Sequence, residues 1–416
     1  MHRAQPDPGM TAGAPRIGIG AIGLGRAFVL MLPTFAAHPR VRLVAGSDPR
    51  AEARAHFTQE FGGAAYQTID ELCRDPAVDA IYVASPHQFH AEHVTAAARH
   101  GKHVLVEKPM ALTIAECEGM IEAADRANIH LLVGHSHSFD APYLKTREMI
   151  ARGTVGNVRM ITALNFTDFL YRPRRPEELV TAEGGGVVYS QGAHQVDVVR
   201  LLAGGMARSV RAQTGAWDPA RPTEGAYSAL MTFDDGTFAT LTYSGYAHYD
   251  SDELTGWIGE MGVPKDPAGY GGTRAGLRKV ESADEEAALK STRTYGAAPS
   301  TGPIGSAPAS VERPPAHNQF GMLIVSCERA DLRPMPNGIM VYDDSHAWLD
   351  PLPPPVVPRG EVFDELCDAI EGVRSPVHSG RWAMATLEAC LAILESSRTG
   401  SDVRLSRQVA LPDQAQ

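Results

Sequence analysis

A two-domain α/β chain is predicted by three features of this 416-residue sequence. A glycine-rich turn, "IGIGAIGLGRAF", separates an apolar run from a helical one. Strand-like and helix-like stretches then alternate as far as residue 137. After Ser136 the pattern changes to longer alternating strands. Strands separated by helices of about 10–15 residues form βαβ units around a parallel sheet. The later alternation suits an α+β domain whose largely antiparallel sheet is open on one face.

The elements follow in order. "MHRAQPDPGMTAGAP", residues 1–15, has no apolar core of a signal peptide and reads as a disordered lead-in. "RIGIGAIG" is a strand and residues 26–38 a helix, then "VRLVAGSD" is the second strand. "TIDELCRDP" is helical, "DAIYVASP" a strand, "AEHVTAAARHG" a helix and "KHVLVEKP" a strand. "TIAECEGMIEAADRAN" and "HLLVGHS" complete a Rossmann-type dinucleotide-binding domain over residues 16–137. The second domain, 138–356, holds "VRMITALNF", "SVRAQTGAW" and "AYSALMTFDDGTFATLTYSG", with "DDG" as a hairpin turn. It also holds a Gly/Pro/Ser-rich insertion near 255–320, whose composition suggests a structureless excursion. After the stiff "PLPPPVVPRG" connector, residues 357–416 supply two amphipathic helices and a tail that packs back on the body.

Composition excludes several classes of function. The chain is 44% hydrophobic and 21% charged, with a net charge of −11 and no basic tract, which argues against nucleic-acid binding. No apolar run is long enough to span a bilayer. The five cysteines are scattered without a C-x-x-C pair, as expected of a cytoplasmic protein without a metal site or disulfide framework.

The candidate chemistry gathers at strand ends. Gly23 and Gly25, followed by Arg26, Ala27 and Phe28, stand where a βα turn brings backbone amides against a pyrophosphate. Asp48 ends the second strand, where a carboxylate accepts from ribose hydroxyls and repels a 2′-phosphate, so NAD is favoured over NADP. Ser85, Pro86, His87 and His90 follow the next strand as further cofactor contacts. Glu107 and Lys108 end the strand after it, with Pro109 restricting the lysine backbone so that its ammonium is aimed. "GGGVVYSQGAHQVDVV" then offers three glycines for close backbone approach, followed by Tyr189, Ser190, His194 and Asp197. His194 taken alone reads as a capped or packed histidine before it reads as a proton acceptor.

The glycine turn, "EKP" and "GGG…H..D" together resemble the Gfo/Idh/MocA family of NAD(P)-dependent dehydrogenases of sugars, inositols and dihydrodiols. That resemblance implies that Lys108 contacts the reacting hydroxyl and that His194 is the proton acceptor. Family members often carry an aspartate four residues before the histidine, where this chain has Ser190. Arg172, Arg174 and Arg175 precede the glycine triplet and are candidates for a substrate carboxylate, with pairing to Glu177 and Glu178 the alternative. With Ser190 and the insertion, they resemble the branch that oxidises phthalate 4,5-cis-dihydrodiol to 4,5-dihydroxyphthalate. A small anionic substrate and a homo-oligomer, dimer or tetramer, built through the second-domain sheet are expected. A sugar or inositol dehydrogenase and an inactive nucleotide-binding regulator are the alternatives.

Overall fold

The computed structural model describes residues 16–246, 248–269, 271–297 and 313–412. The lead-in 1–15 and most of the richest Gly/Pro/Ser run lie outside the described residues. Alternation in the first part forms β1 (Ile17–Ile22), α1 (Arg26–Ala37), β2 (Val41–Ser47), α2 (Ala51–Phe61) and β3 (Ala64–Tyr66). It continues with α3 (Ile69–Arg74), β4 (Ala80–Val83), α4 (His90–Arg99), β5 (His103–Val106), α5 (Ile114–Ala127) and β6 (Leu131–Val133). Thr68 with Glu71 and Thr113 with Glu116 form capping boxes that start α3 and α5. The six strands pair in parallel in the order β3-β2-β1-β4-β5-β6. The order reverses between β1 and β4, so the crevice for a ligand opens beyond their carboxyl ends.

The second part begins with α6 (Ala141–Ala151), β7 (Val158–Phe166), α7 (Ala193–Ala203), β8 (Ala207–Gly215), β9 (Ala226–Phe233) and β10 (Phe238–Ser244). After α8 (Gly272–Leu277) and α9 (Ala283–Ser291) come β11 (Met322–Cys327), β12 (Asp331–Met335), β13 (Gly338–Tyr342) and β14 (Ala347–Pro351). These strands form a nine-stranded sheet with β15 (Val403–Arg404) at its far edge. It is mixed rather than purely antiparallel, because β10 lies parallel to β7 while its other pairings are antiparallel. The "DDG" turn joins β9 to β10 as expected. Ile161, Ala163, Met231, Leu241 and Leu323 face α7 and α11 (Gly380–Thr399) in one core.

Two elements tie the domains together. In α10 (Gly360–Ile370), Val362, Phe363 and Leu366 join the core of the first domain beside Ile19, Phe28 and Tyr82. Trp382 and Ile393 of α11 belong to the core of the second domain, while Leu387 meets that of the first. The segment after β10, whose composition suggests a structureless excursion, is instead ordered across its described residues up to 297. Ion pairs anchor it: Arg221 to Glu286 at 2.8 Å, and Lys290 to Glu178. Its end reaches the first domain, where the amide of Tyr295 donates to Leu24 O at 3.2 Å and its ring meets Phe28 edge-on.

Candidate active site

The glycine turn is built for a dinucleotide. Gly23 has φ +85°, and a Cβ there would sit 2.7 Å from the Ser85 amide nitrogen at the end of β4. Only glycine lets the β1 and β4 ends come this close. A Cβ on Gly25 would meet nothing nearer than 3.9 Å, because that residue borders open space. Directly after it α1 begins with no side-chain cap, so its first amides are free to meet an anion. The open space is a cleft of about 780 Å³ lined by Gly23, Gly25, Asp48, Ser85 and Pro86. These residues fit a bound dinucleotide.

Other predicted cofactor contacts have different surroundings. The Phe28 side chain is fully buried between Phe35, Phe57 and Tyr295, so it stabilises α1 and cannot line the cleft. His90 is also buried: Nδ1 lies 3.1 Å from Pro109 O, and Nε2 lies 3.0 Å from Ser85 O. It staples two strand ends, and burial lowers its pKa to about 4. His87 turns away to Glu183 O at 3.0 Å. His93, which no motif singles out, is the histidine that lines the cleft, with Nδ1 2.8 Å from Ser85 Oγ. Glu107 is tied to the Tyr82 hydroxyl at 2.7 Å instead of facing the cleft, and burial raises its pKa. Asp48 is in place at the end of β2, but it is not a free acceptor. Oδ2 takes the Leu24 amide at 2.8 Å, and the Arg50 guanidinium grips both oxygens at 2.9 and 3.0 Å. Arg26 and Ala27 open α1, and the Arg26 side chain makes no hydrogen bond or ion pair among the described residues.

Lys108 and His194 come together between the domains. The half-buried Lys108 donates from Nζ to Ser190 O at 2.8 Å, in a π-helical turn (Val188–Gly192) that runs into α7. Burial lowers its pKa. His194, in the first turn of α7, is buried, and its Nδ1 accepts the His137 amide at 3.3 Å. Burial first, and then the charges of Lys108, His137, His135 and Arg359, put its pKa well below the ordinary histidine value. The Tyr189 hydroxyl donates to Leu112 O at 3.3 Å, so Tyr189 packs beside the site without projecting a free hydroxyl. Asp197 accepts from Trp382 Nε1 at 2.6 Å, Thr386 Oγ1 at 2.7 Å and Ser138 Oγ, which makes it a structural carboxylate.

The glycine triplet approaches protein instead of ligand. A Cβ on Gly184 would strike His87 and Leu112, and one on Gly186, at φ +82°, would strike the Glu224 carboxylate. The arginines are also engaged. Arg172 pairs with Asp168 at 3.0 Å and Glu260 at 3.6 Å. Arg174 stacks 3.7 Å above the Phe169 ring and donates to Phe169 O at 2.7 Å. Arg175 pairs with Glu177 at 2.9 Å and borders the dinucleotide cleft.

Sequence reasoning missed a buried charge cluster beside His194. After β6, "GHSHSFD" places His135 Nε2 2.8 Å from Asp140 Oδ1 and His137 Nδ1 2.6 Å from Asp140 Oδ2. His137 Nε2 lies 3.3 Å from Glu260 Oε1, and its ring centre is 4.7 Å from that of His194. Two histidines and an aspartate just beyond a strand at the carboxyl edge were the available signal. Glu260 gave none, because its partners lie far away in sequence.

Comparison with known proteins bears on the two domains. Residues 17–135 match the NAD-binding Rossmann fold of the Gfo/Idh/MocA oxidoreductase family, and residues 143–262 match its C-terminal domain. The chain belongs to the Gfo/Idh/MocA family. Among its relatives, 1-carboxy-3-chloro-3,4-dihydroxycyclohexa-1,5-diene dehydrogenase of Comamonas testosteroni is 48% identical over 91% of this chain and 94% of that protein. Myo-inositol 2-dehydrogenase of Thermotoga maritima is 32% identical over 45% of this chain and 54% of that protein. A crystal structure from Bordetella bronchiseptica RB50 shares 44% identity and superposes with a TM-score of 0.87, covering 94% of this chain and 100% of that one. As a Gfo/Idh/MocA member, the chain is an oxidoreductase with an NAD-binding Rossmann domain. No helix among its described residues is long and apolar enough to cross a membrane.

Proposed function

We propose that this Gfo/Idh/MocA member oxidises a carboxylated aromatic cis-dihydrodiol with NAD+, phthalate 4,5-cis-dihydrodiol being the leading candidate. The observation that carries the proposal is the 48% identity, along nearly the whole chain, to a dehydrogenase named for a carboxylated cyclohexadiene diol. NAD+, when bound, supplies the hydride acceptor. The chain's own residues position the diol and handle its proton. Lys108 and His194 share the reacting hydroxyl, one as hydrogen-bond partner and the other as proton acceptor. Loss of a hydride and a proton leaves a hydroxy-ketone whose tautomer is an aromatic catechol, and the aromatic ring draws the reaction forward.

Surplus positive charge supports an anionic substrate. Burial first, and then Arg293, Arg359 and Arg172, lower the pKa of Arg26, so a carboxylate brought near Arg26 would be welcome. Arg172, Arg174 and Arg175 already have protein partners, which moves the leading carboxylate contact from them to Arg26. NAD is preferred to NADP because a 2′-phosphate would stand against the Asp48 carboxylate, with Arg50 already committed to that carboxylate. Five free cysteines fit a cytoplasmic setting. The deciding experiment follows NADH formation with carboxylated cis-dihydrodiols, inositols and aldoses. Turnover confined to the carboxylated diols supports the proposal, whereas preference for an inositol or aldose overturns it.

A further inference from the structure

His137 has a carboxylate against each ring nitrogen: Asp140 Oδ2 at 2.6 Å from Nδ1 and Glu260 Oε1 at 3.3 Å from Nε2. An ionised carboxylate only accepts hydrogen bonds, so both nitrogens must carry protons and the ring must be an imidazolium. Both carboxylates are held ionised. Asp140 also receives His135 Nε2 at 2.8 Å and Asn318 Nδ2 at 3.4 Å. Glu260 lies 3.6 Å from Arg172 Nη1 and feels Lys108. His194 has the opposite surroundings. The titratable groups facing it are Lys108, His137, His135 and Arg359, of which burial keeps His135 neutral with a pKa of about 4, and no carboxylate touches either of its nitrogens among the described residues. Its Nδ1 lone pair is taken by the His137 amide, so a neutral ring keeps its proton on Nε2.

We infer that Glu260, carried into the site by the segment after β10, is a positioning residue: with Asp140 it holds His137 as an imidazolium, and His137 holds His194 as a neutral ring protonated on Nε2. Burial opposes charge on His137, but the two carboxylates outweigh it and raise its pKa. The arrangement divides the labour at the substrate. His194 then donates a hydrogen bond from Nε2 to the carbinol oxygen and keeps its proton. The hydroxyl proton passes to Lys108 Nζ, whose amine form burial favours, while the carbinol C–H electron pair would leave as hydride to bound NAD+ as the C=O bond forms. Charges facing Lys108 are Glu107 and Glu260, which favour its ammonium, and Arg359 and Arg174, which favour the amine.

This division of labour rests on the dihydrodiol reading, but the state of the two rings does not. Nitrogen-15 NMR of histidine-labelled protein with NADH bound reads the rings directly. The expected result is a doubly protonated His137 through neutral pH and a neutral His194 carrying its proton on Nε2. Glu260→Gln keeps the shape and removes the charge. It should lower the pH at which His137 titrates by roughly one unit or more and raise that of His194. Glu260→Asp should restore both, and NADH affinity should stay unchanged in both variants. A neutral His137 in the wild type, an Nδ1-protonated His194, or a Glu260→Gln spectrum identical to wild type would overturn the inference. If the NMR result holds and no dihydrodiol is oxidised, the substrate reading fails alone.

Discussion

Lys108, just past the end of a buried strand, is the residue to which the proposed chemistry is assigned. β5 delivers it to the carboxyl edge, the Ser190 carbonyl accepts from its Nζ, and burial weakens its hold on a proton. Lys108→Ala is expected to cut kcat by roughly two to four orders of magnitude, the usual effect of losing a positioned proton-transfer group. NADH affinity, measured by fluorescence, should survive. Arg26→Met tests the carboxylate contact. It should raise KM for a carboxylated diol by roughly thirtyfold or more, from about 2 kcal/mol or more of lost charge-assisted bonding, and should spare an analogue lacking the carboxylate. Equal penalties on both substrates would point to a cofactor contact instead. Asp48→Asn should narrow an NAD preference of about tenfold, which corresponds to roughly 1.4 kcal/mol of charge repulsion. His90 gives a pH test. Its folded pKa, about 4, lies below the unfolded value, so its contribution to stability is present above pH 6.5 and drains as pH falls toward 4. The drain is about 1.4 kcal/mol per pH unit for one group, so the melting temperatures of wild type and His90→Gln should converge or cross across that window.

Elements with local signals are legible in the sequence itself. α3 and α5 announce themselves through Thr68/Glu71 and Thr113/Glu116, and β4 and β5 through unbroken apolar runs. The segment after β10 is not legible in this way, because its glycines and serines suggest freedom while its order comes from partners elsewhere. Tyr295 shows how much depends on them. Its ring packs against Phe28, its hydroxyl donates to Glu60 at 2.6 Å, and its neighbour Thr294 receives Arg50 at 2.9 Å. Tyr295→Ala should lower stability by about 3 kcal/mol, as large buried aromatics do. The segment also borders the dinucleotide cleft through Ser291 and Thr294. NAD+ affinity in that variant, measured by calorimetry, should therefore fall as well.

On the scale of the whole molecule, helices among the described residues cover the large sheet on one face. Helices α7 and α11 bury Ile161, Met231 and Leu241, whereas Met160, Leu230, Phe238 and Leu349 stand exposed. Phe238 pairs directly with Met160, so the exposed apolar groups gather on adjacent strands. Such a face is usually covered in solution, and a homodimer or homotetramer is expected by sedimentation at micromolar concentration. Leu230→Lys with Phe238→Lys should shift the population to monomer.

What the sequence determined by itself was the Rossmann domain, the strand ends that carry Gly23, Asp48, Ser85 and Lys108, and the sheet domain that follows. Those features depend on periodicity, turn chemistry and capping, all written within a few residues of one another. Tertiary structure alone decided the long-range matching of charges: Arg221 on Glu286, and Glu260 between Arg172 and His137. His137 and Glu260 stand 123 residues apart, and Ser138 and His378 stand 240 apart. Over such separations no local pattern records which groups will meet, and a buried charge takes its protonation state from the groups it meets.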